Sequence, residues 1–228
     1  KVDSPNFNTK IETPSFVIIY NKGLEDVAYT LANNIEKWGN EVFTFHGAKP
    51  KVKINVFLGN NVDFVDSASN LYYINLWINT SLELNELHNM SNTWLESVFK
   101  HELTHNVNQL YNHGLFYIYI TPYLERLFAP RWLEEGTAVY NETKLSPNGR
   151  AYDELFYARQ RFDFANNKFN YFYYKTANPY PDGAGFISFY NDTYGHEKAK
   201  MALRSYMTPN SFHIFGFMVS SPISHYAK

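Results

Sequence analysis

Residues 91–110 read SNTWLESVFKHELTHNVNQL. Leu95, Val98, Phe99, Leu103, Val107 and Leu110 recur at intervals of three and four, which places them along one face of an α-helix. Thr93 followed three residues later by Glu96 has the form of a capping box, so the spacing predicts a helix that begins there. On that helix His101 and His105 stand one turn apart on the same face, so that both imidazoles can reach one cation. Glu102 is turned by about 100° from His101, where its carboxylate can lie beside such a cation without ligating it, the place for a general base. Two surface histidines on a solvated face are the plain alternative. The pattern HExxH arises by chance on the order of once in a hundred chains of this size, so what lies downstream decides between them.

A catalytic zinc takes three protein ligands and keeps a fourth position for water. The chain has no cysteine, so His, Asp and Glu are the available ligands. Residues 131–140 read RWLEEGTAVY, an apolar helix start interrupted by Glu134 and Glu135. A carboxylate next to Gly136 suits a crowded site, because the missing side chain lets a backbone or a substrate come close.

HELTH at 101–105 and WLEEGTAVY at 132–140 resemble the gluzincin metallopeptidases, the zincin branch that includes aminopeptidase N, leukotriene hydrolase and the bacterial peptidase MA-like proteins. The resemblance implies that zinc is held by His101, His105 and Glu135, with Glu102 as general base and Glu134 as a surface charge in a variable slot. Glu142, seven residues past Glu135, matches a carboxylate common in the aminopeptidase branch and becomes a candidate partner for a ligand. Tyr180, Pro181, Asp182, Gly183 and Ala184 match a YxxGA pattern whose tyrosine donates its hydroxyl to the developing oxyanion. A loop tyrosine before a helix is the plain alternative there, since the chain has 19 tyrosines. Two departures narrow the match. Between His105 and Glu135 lie 29 residues, more than the aminopeptidase branch places there, so an insertion around 113–129 has to loop away and return. Its stretch Phe116-Tyr117-Ile118-Tyr119 either walls a cleft or fills core. No segment resembles the GxMEN motif with which aminopeptidases bind a free amino terminus.

Outward from the two motifs, Phe16–Tyr20 is a short apolar run predicted as a buried strand. Leu24, Val27, Ala28, Leu31, Ile35 and Trp38 predict a helix stopped by Gly39. Val52, Ile54, Val56 and Leu58 alternate with polar or aromatic neighbours up to Gly59 and predict a strand, and Leu71–Ile78 a third, along whose edge a substrate backbone could pair. Residues 1–15 show no sustained period and are read as an irregular lead-in. Helices are predicted over Trp132–Asn141, Tyr152–Phe162, Gly183–Tyr194 and His196–Tyr206. His46, His88, His113, His196, His213 and His225 show no paired spacing and are read as surface or core residues.

The fold expected is α+β. It is a zincin-like catalytic domain over 1–228, with a small twisted mixed sheet and helices in a first lobe (1–90), then the active-site helix and a helical second lobe (91–228). With 19 Phe beside the 19 Tyr, a packed core is well supplied. A net charge of −2 gives no footprint for nucleic acid or an anionic membrane, and no apolar run approaches the roughly 20 residues of a membrane span. The expected activity is zinc-dependent hydrolysis of a peptide or protein substrate, as an endopeptidase. An aminopeptidase of the same clan is the alternative, and an inactive binding module on the zincin scaffold is the alternative of another class. Lys1 follows no initiator Met or signal peptide, which is read as a processed form or a piece of a longer, multidomain chain. The peptidase MA-like resemblance implies an extracytoplasmic location, secreted or cell-surface and bacterial-like.

Overall fold

Phe16, Ile18 and Tyr20 alternate with less buried neighbours, as do Ile54, Val56 and Leu58, and Ile74 and Leu76. In register, Phe16 lies beside Ile54, Ile18 beside Val56, and Val56 beside Ile74, so one apolar face builds up strand by strand. These rows belong to a mixed sheet in the computed structural model, which describes residues 7–60, 66–70, 73–78, 84–110, 131–147, 149–166 and 178–207. The fold is α+β. Its contacts divide the chain into two compact units, residues 1–107 with 141–149 and residues 108–140 with 150–228.

The first unit holds β1 (Phe7–Glu12), β2 (Phe16–Asn21), β3 (Ile54–Gly59), β4 (Asp66–Asn70) and β5 (Tyr73–Trp77), in the spatial order β1-β2-β3-β5-β4. The central three run parallel, and β1 and β4 close the two ends antiparallel. Helix α1 (Glu25–His46) makes the crossover from β2 to β3. Helix α2 spans Leu84–Leu110 and helix α3 Arg131–Leu145. Leu31, Ile35, Trp38 and Val42 of α1 join Leu95, Phe99, Leu103 and Val107 of α2 and the apolar sheet face in one core. At its centre the Phe16 ring lies 6.0 Å from that of Phe43 and 5.5 Å from that of Phe99.

Several local expectations give way to this packing. Residues 7–12 form an edge strand rather than an irregular lead-in, because backbone pairing to β2 holds a segment with little apolar content. Gly39 does not stop α1. An ideal Cβ there would stand 2.6 Å from the Phe16 ring, so this glycine makes room for that ring against the helix, and the helix ends at Gly47 with φ 64°. Helix α2 begins at Leu84, not at Thr93. Glu96 is interior, its carboxylate 2.5 Å from Lys100 Nζ. The strand expected over Leu71–Ile78 is β5, yet β4 covers its side, so β4 is the terminal strand and β5 offers no edge. The sequence of β4, DSASN, carries no apolar alternation. The insertion expected at 113–129, with Phe116–Tyr119, lies outside the described residues.

The second unit contains residues 131–140 of α3, a 3-10 turn at Arg150–Tyr152, α4 (Ala158–Ala165), α5 (Pro179–Tyr194) and α6 (His196–Met207). Its residues 150–157 are a turn where a helix from Tyr152 was expected, and only 158–165 are α-helical. Trp132, Phe186, Tyr190 and Tyr194 form a chain of ring contacts with centroids 4.7 to 6.2 Å apart. Burial, followed by the charge of Asp192 and then by Tyr152, pushes the Tyr140 phenol up to about 12. No helix among the described residues is long and apolar enough to cross a membrane.

Gly39→Ala gains up to about 1 kcal/mol of helix propensity but forces a methyl into a ring already packed on both sides, an overpacking cost of typically 1–3 kcal/mol. Net destabilisation in urea unfolding is expected. A variant more stable than the parent would show that Phe16 does not sit against this helix.

Candidate metal centre

Helix α2 buries His101 and Glu102, at 4 % and 5 % exposure, and leaves His105 half-buried. Lys100, one residue before His101, is fully buried. Its ammonium lies 2.6 Å from Glu41 of α1 and 2.5 Å from Glu96, and it donates to the carbonyl of Leu145, the last residue of α3. A lysine donating to the last carbonyls of a helix satisfies an orphan acceptor and the helix dipole together. Nearby, buried Asn141 of α3 meets His46 Nε2 and donates to Thr104 Oγ1 at 3.2 Å, while Thr104 donates to the Lys100 carbonyl at 2.8 Å. Helices α1, α2 and α3 are thus held together by polar contacts on both sides of the histidine turn.

On α3 that registration places Glu142, 1 % exposed, with Oε2 2.8 Å from His101 Nδ1. A carboxylate there favours the tautomer in which Nδ1–H donates to Glu142 and Nε2 carries no proton. His101 Nε2 lies 3.3 Å from His105 Nε2. Two imidazole nitrogens bound to one tetrahedral zinc at about 2.0–2.1 Å would stand about 3.3 Å apart, so the pair has the spacing that such an ion requires. Glu135 sits seven residues before Glu142 on the same continuous helix, about 20° short of two full turns, and therefore on the same face. His101, His105 and Glu135 each offer a ligand atom, and these atoms lie within 4.8 Å of one another; among the described residues they form the group that could hold a metal ion. Two neutral nitrogens and one carboxylate oxygen suit zinc and other borderline divalent ions better than calcium or magnesium.

Around Glu135 the second unit has its own geometry. An ideal Cβ on Gly136 would stand 2.3 Å from the Gly183 carbonyl carbon, and one on Gly183 would stand 1.8 Å from the Trp132 oxygen. Helices α3 and α5 therefore cross in backbone contact at these two glycines. The crossing sets Tyr180, at the start of α5, near Glu135 and between two arginines, with the Arg131 and Arg150 guanidinium carbons 5.9 Å and 5.6 Å from its ring centre. Burial first, and then the Glu135 charge, raise the Tyr180 phenol above its ordinary value, while Arg131 and Arg150 pull the other way. Tyr180 therefore keeps its proton at neutral pH. Arg131 Nε is 3.5 Å from Glu135 Oε1, on a side chain that is 69 % exposed, a loose pair of small energetic weight.

Glu102 is held by a contact that the sequence does not announce: Ser67 Oγ of β4 donates to Glu102 Oε1 at 2.7 Å. Glu134 is half-buried. His46 is a core residue, and His196 Nδ1 lies 3.2 Å from Asn191 Oδ1. The His88 side chain and residues 113, 213 and 225 lie outside the described part. Of the features missed, only Arg131 left a signal, four residues before Glu135 on one helix face; Ser67, Lys100 and Asn141 left none. No known family model matches the chain, and neither does any curated protein.

Glu142→Gln leaves an amide at His101 Nδ1 and removes the preference for one tautomer. Zinc affinity, measured by competition with a chromogenic chelator, is expected to fall about 10- to 100-fold. Unchanged affinity would show that Glu142 does not orient a ligand.

Proposed function

We propose that the chain is a zinc-dependent endopeptidase of the gluzincin type. The observation that carries it is the His101–His105 pair: one imidazole is oriented by buried Glu142, and the two Nε2 atoms meet at the separation of ligands on one zinc. Glu135, on the face of α3 that carries Glu142, is the third ligand. When bound, zinc supplies Lewis acidity, lowering the pKa of a coordinated water towards about 7 and polarising a carbonyl.

The residues do the rest. Glu102 takes the proton of the attacking water and passes it to the leaving amine, so one carboxylate serves as base and then as acid. Its burial excludes bulk water that would compete for that proton. Tyr180, protonated at neutral pH, donates its hydroxyl to the oxyanion that forms on the carbonyl oxygen. Arg131, whose guanidinium carbon lies 5.9 Å from the Tyr180 ring centre, steadies that donor. The lack of a GxMEN-like segment favours internal cleavage, and peptides with blocked amino termini distinguish this from aminopeptidase action.

Glu102→Gln is expected to abolish cleavage of a quenched fluorescent peptide library while retaining one zinc per chain; turnover in that variant would remove Glu102 as the base. Tyr180→Phe is expected to lower kcat about 100- to 1,000-fold, the usual loss for one oxyanion donor, with KM little changed. An unaltered rate would take Tyr180 out of the mechanism. Cleavage that survives a strong chelator would overturn the zinc reading itself.

A further inference from the structure

Glu102 has two chemically equivalent oxygens, and the terminal torsion of a glutamate is broad, so its helix position alone does not decide which oxygen meets the water. The decision comes from β4. This strand pairs antiparallel with β5, with Ser67 opposite Leu76, and from there Ser67 Oγ–H donates to Glu102 Oε1 at 2.7 Å. That length is the usual one for an O–H···O hydrogen bond, about 2.7–2.8 Å. Glu102 is 5 % exposed, so this contact acts with little competition from solvent.

We propose that Ser67 is a positioning residue for Glu102: by occupying Oε1 it fixes the carboxylate plane and leaves Oε2 as the oxygen that accepts the proton. The catalytic role rests on the peptidase reading above, whereas the contact does not. A hydroxyl is the group the position requires. Alanine removes the donor, and threonine keeps it on a strand that tolerates β-branching. The effect expected is on turnover, because the hydroxyl of Ser67 is bonded to the base Glu102 itself.

The test uses Ser67→Ala and Ser67→Thr with two readouts. Infrared spectra of protein carrying carboxyl-13C glutamate, with Glu102→Gln subtracted, isolate the Glu102 carboxylate stretch. Kinetics use the quenched peptide library. Ser67→Ala is expected to shift the Glu102 band, keep one zinc per chain with a modestly lowered Tm, and lower kcat about 10- to 100-fold, by analogy with the loss on removing a residue that orients a metal ligand, with KM unchanged. Ser67→Thr is expected to restore both band and kcat. A band that does not move overturns the contact. A shifted band with unchanged kcat, or a loss confined to KM, overturns the positioning role. A zinc-loaded parent protein that cuts no peptide in the library overturns the peptidase reading and Ser67's catalytic role with it; the band separates that failure from a missing contact.

Discussion

The ammonium of Lys100 lies wholly out of solvent, and burying a lone cation costs several kcal/mol even after relaxation. Two carboxylates and a helix-terminal carbonyl surround it, drawn from α1, α2 and α3. Each of those helices is thereby committed to a position and a rotation. Exposed ion pairs could slide by a residue at little cost, whereas a buried charge with three partners cannot. Lys100 is followed directly by His101, and the end of α3 that Lys100 holds comes three residues after Glu142. The hydrogen bond between His101 and Glu142 is therefore a consequence of where Lys100 is anchored.

Apolar packing supplies the floor beneath that anchor. Phe99 and Leu103 bracket the Lys100–Glu102 turn and press it onto the sheet face carrying Phe16. The same helix turn thus combines apolar packing through Phe99 and Leu103 with an ionic anchor through Lys100. Gly136 and Gly183 apply a different constraint in the second unit. They bring two backbones into contact, so the residue before Gly136 and the first turn of α5 share one neighbourhood.

How much of this is legible in the sequence depends on whether a residue's role is periodic or relational. His101, Glu102 and His105 declare themselves by spacing on one helix, whereas Glu135 and Glu142 are named only by what the resemblance of residues 132–142 implies. The α+β class followed from alternation in Ile54–Leu58 and helical periods in Leu24–Trp38. Lys100 could not be read in advance: a lysine on an amphipathic helix ordinarily points to water, and nothing local marks one that turns inward. Ser67 sits in DSASN, a strand held by pairing to β5 rather than by burial of its own side chains. Gly39 has the pattern of a stop yet lies inside α1, because a glycine that ends a helix and one that admits a ring look alike in sequence. Thr93 and Glu96 had the form of a helix start, but the helix continues through them.

The most direct measurement is X-ray absorption at the zinc edge on protein reconstituted with one equivalent of zinc. Expected is a four-coordinate ion with two imidazole nitrogens and two oxygens at about 2.0–2.2 Å, reduced to a single imidazole in His105→Ala. Failure to take up stoichiometric zinc, or a spectrum without imidazole scattering, would contradict a metal centre on His101, His105 and Glu135.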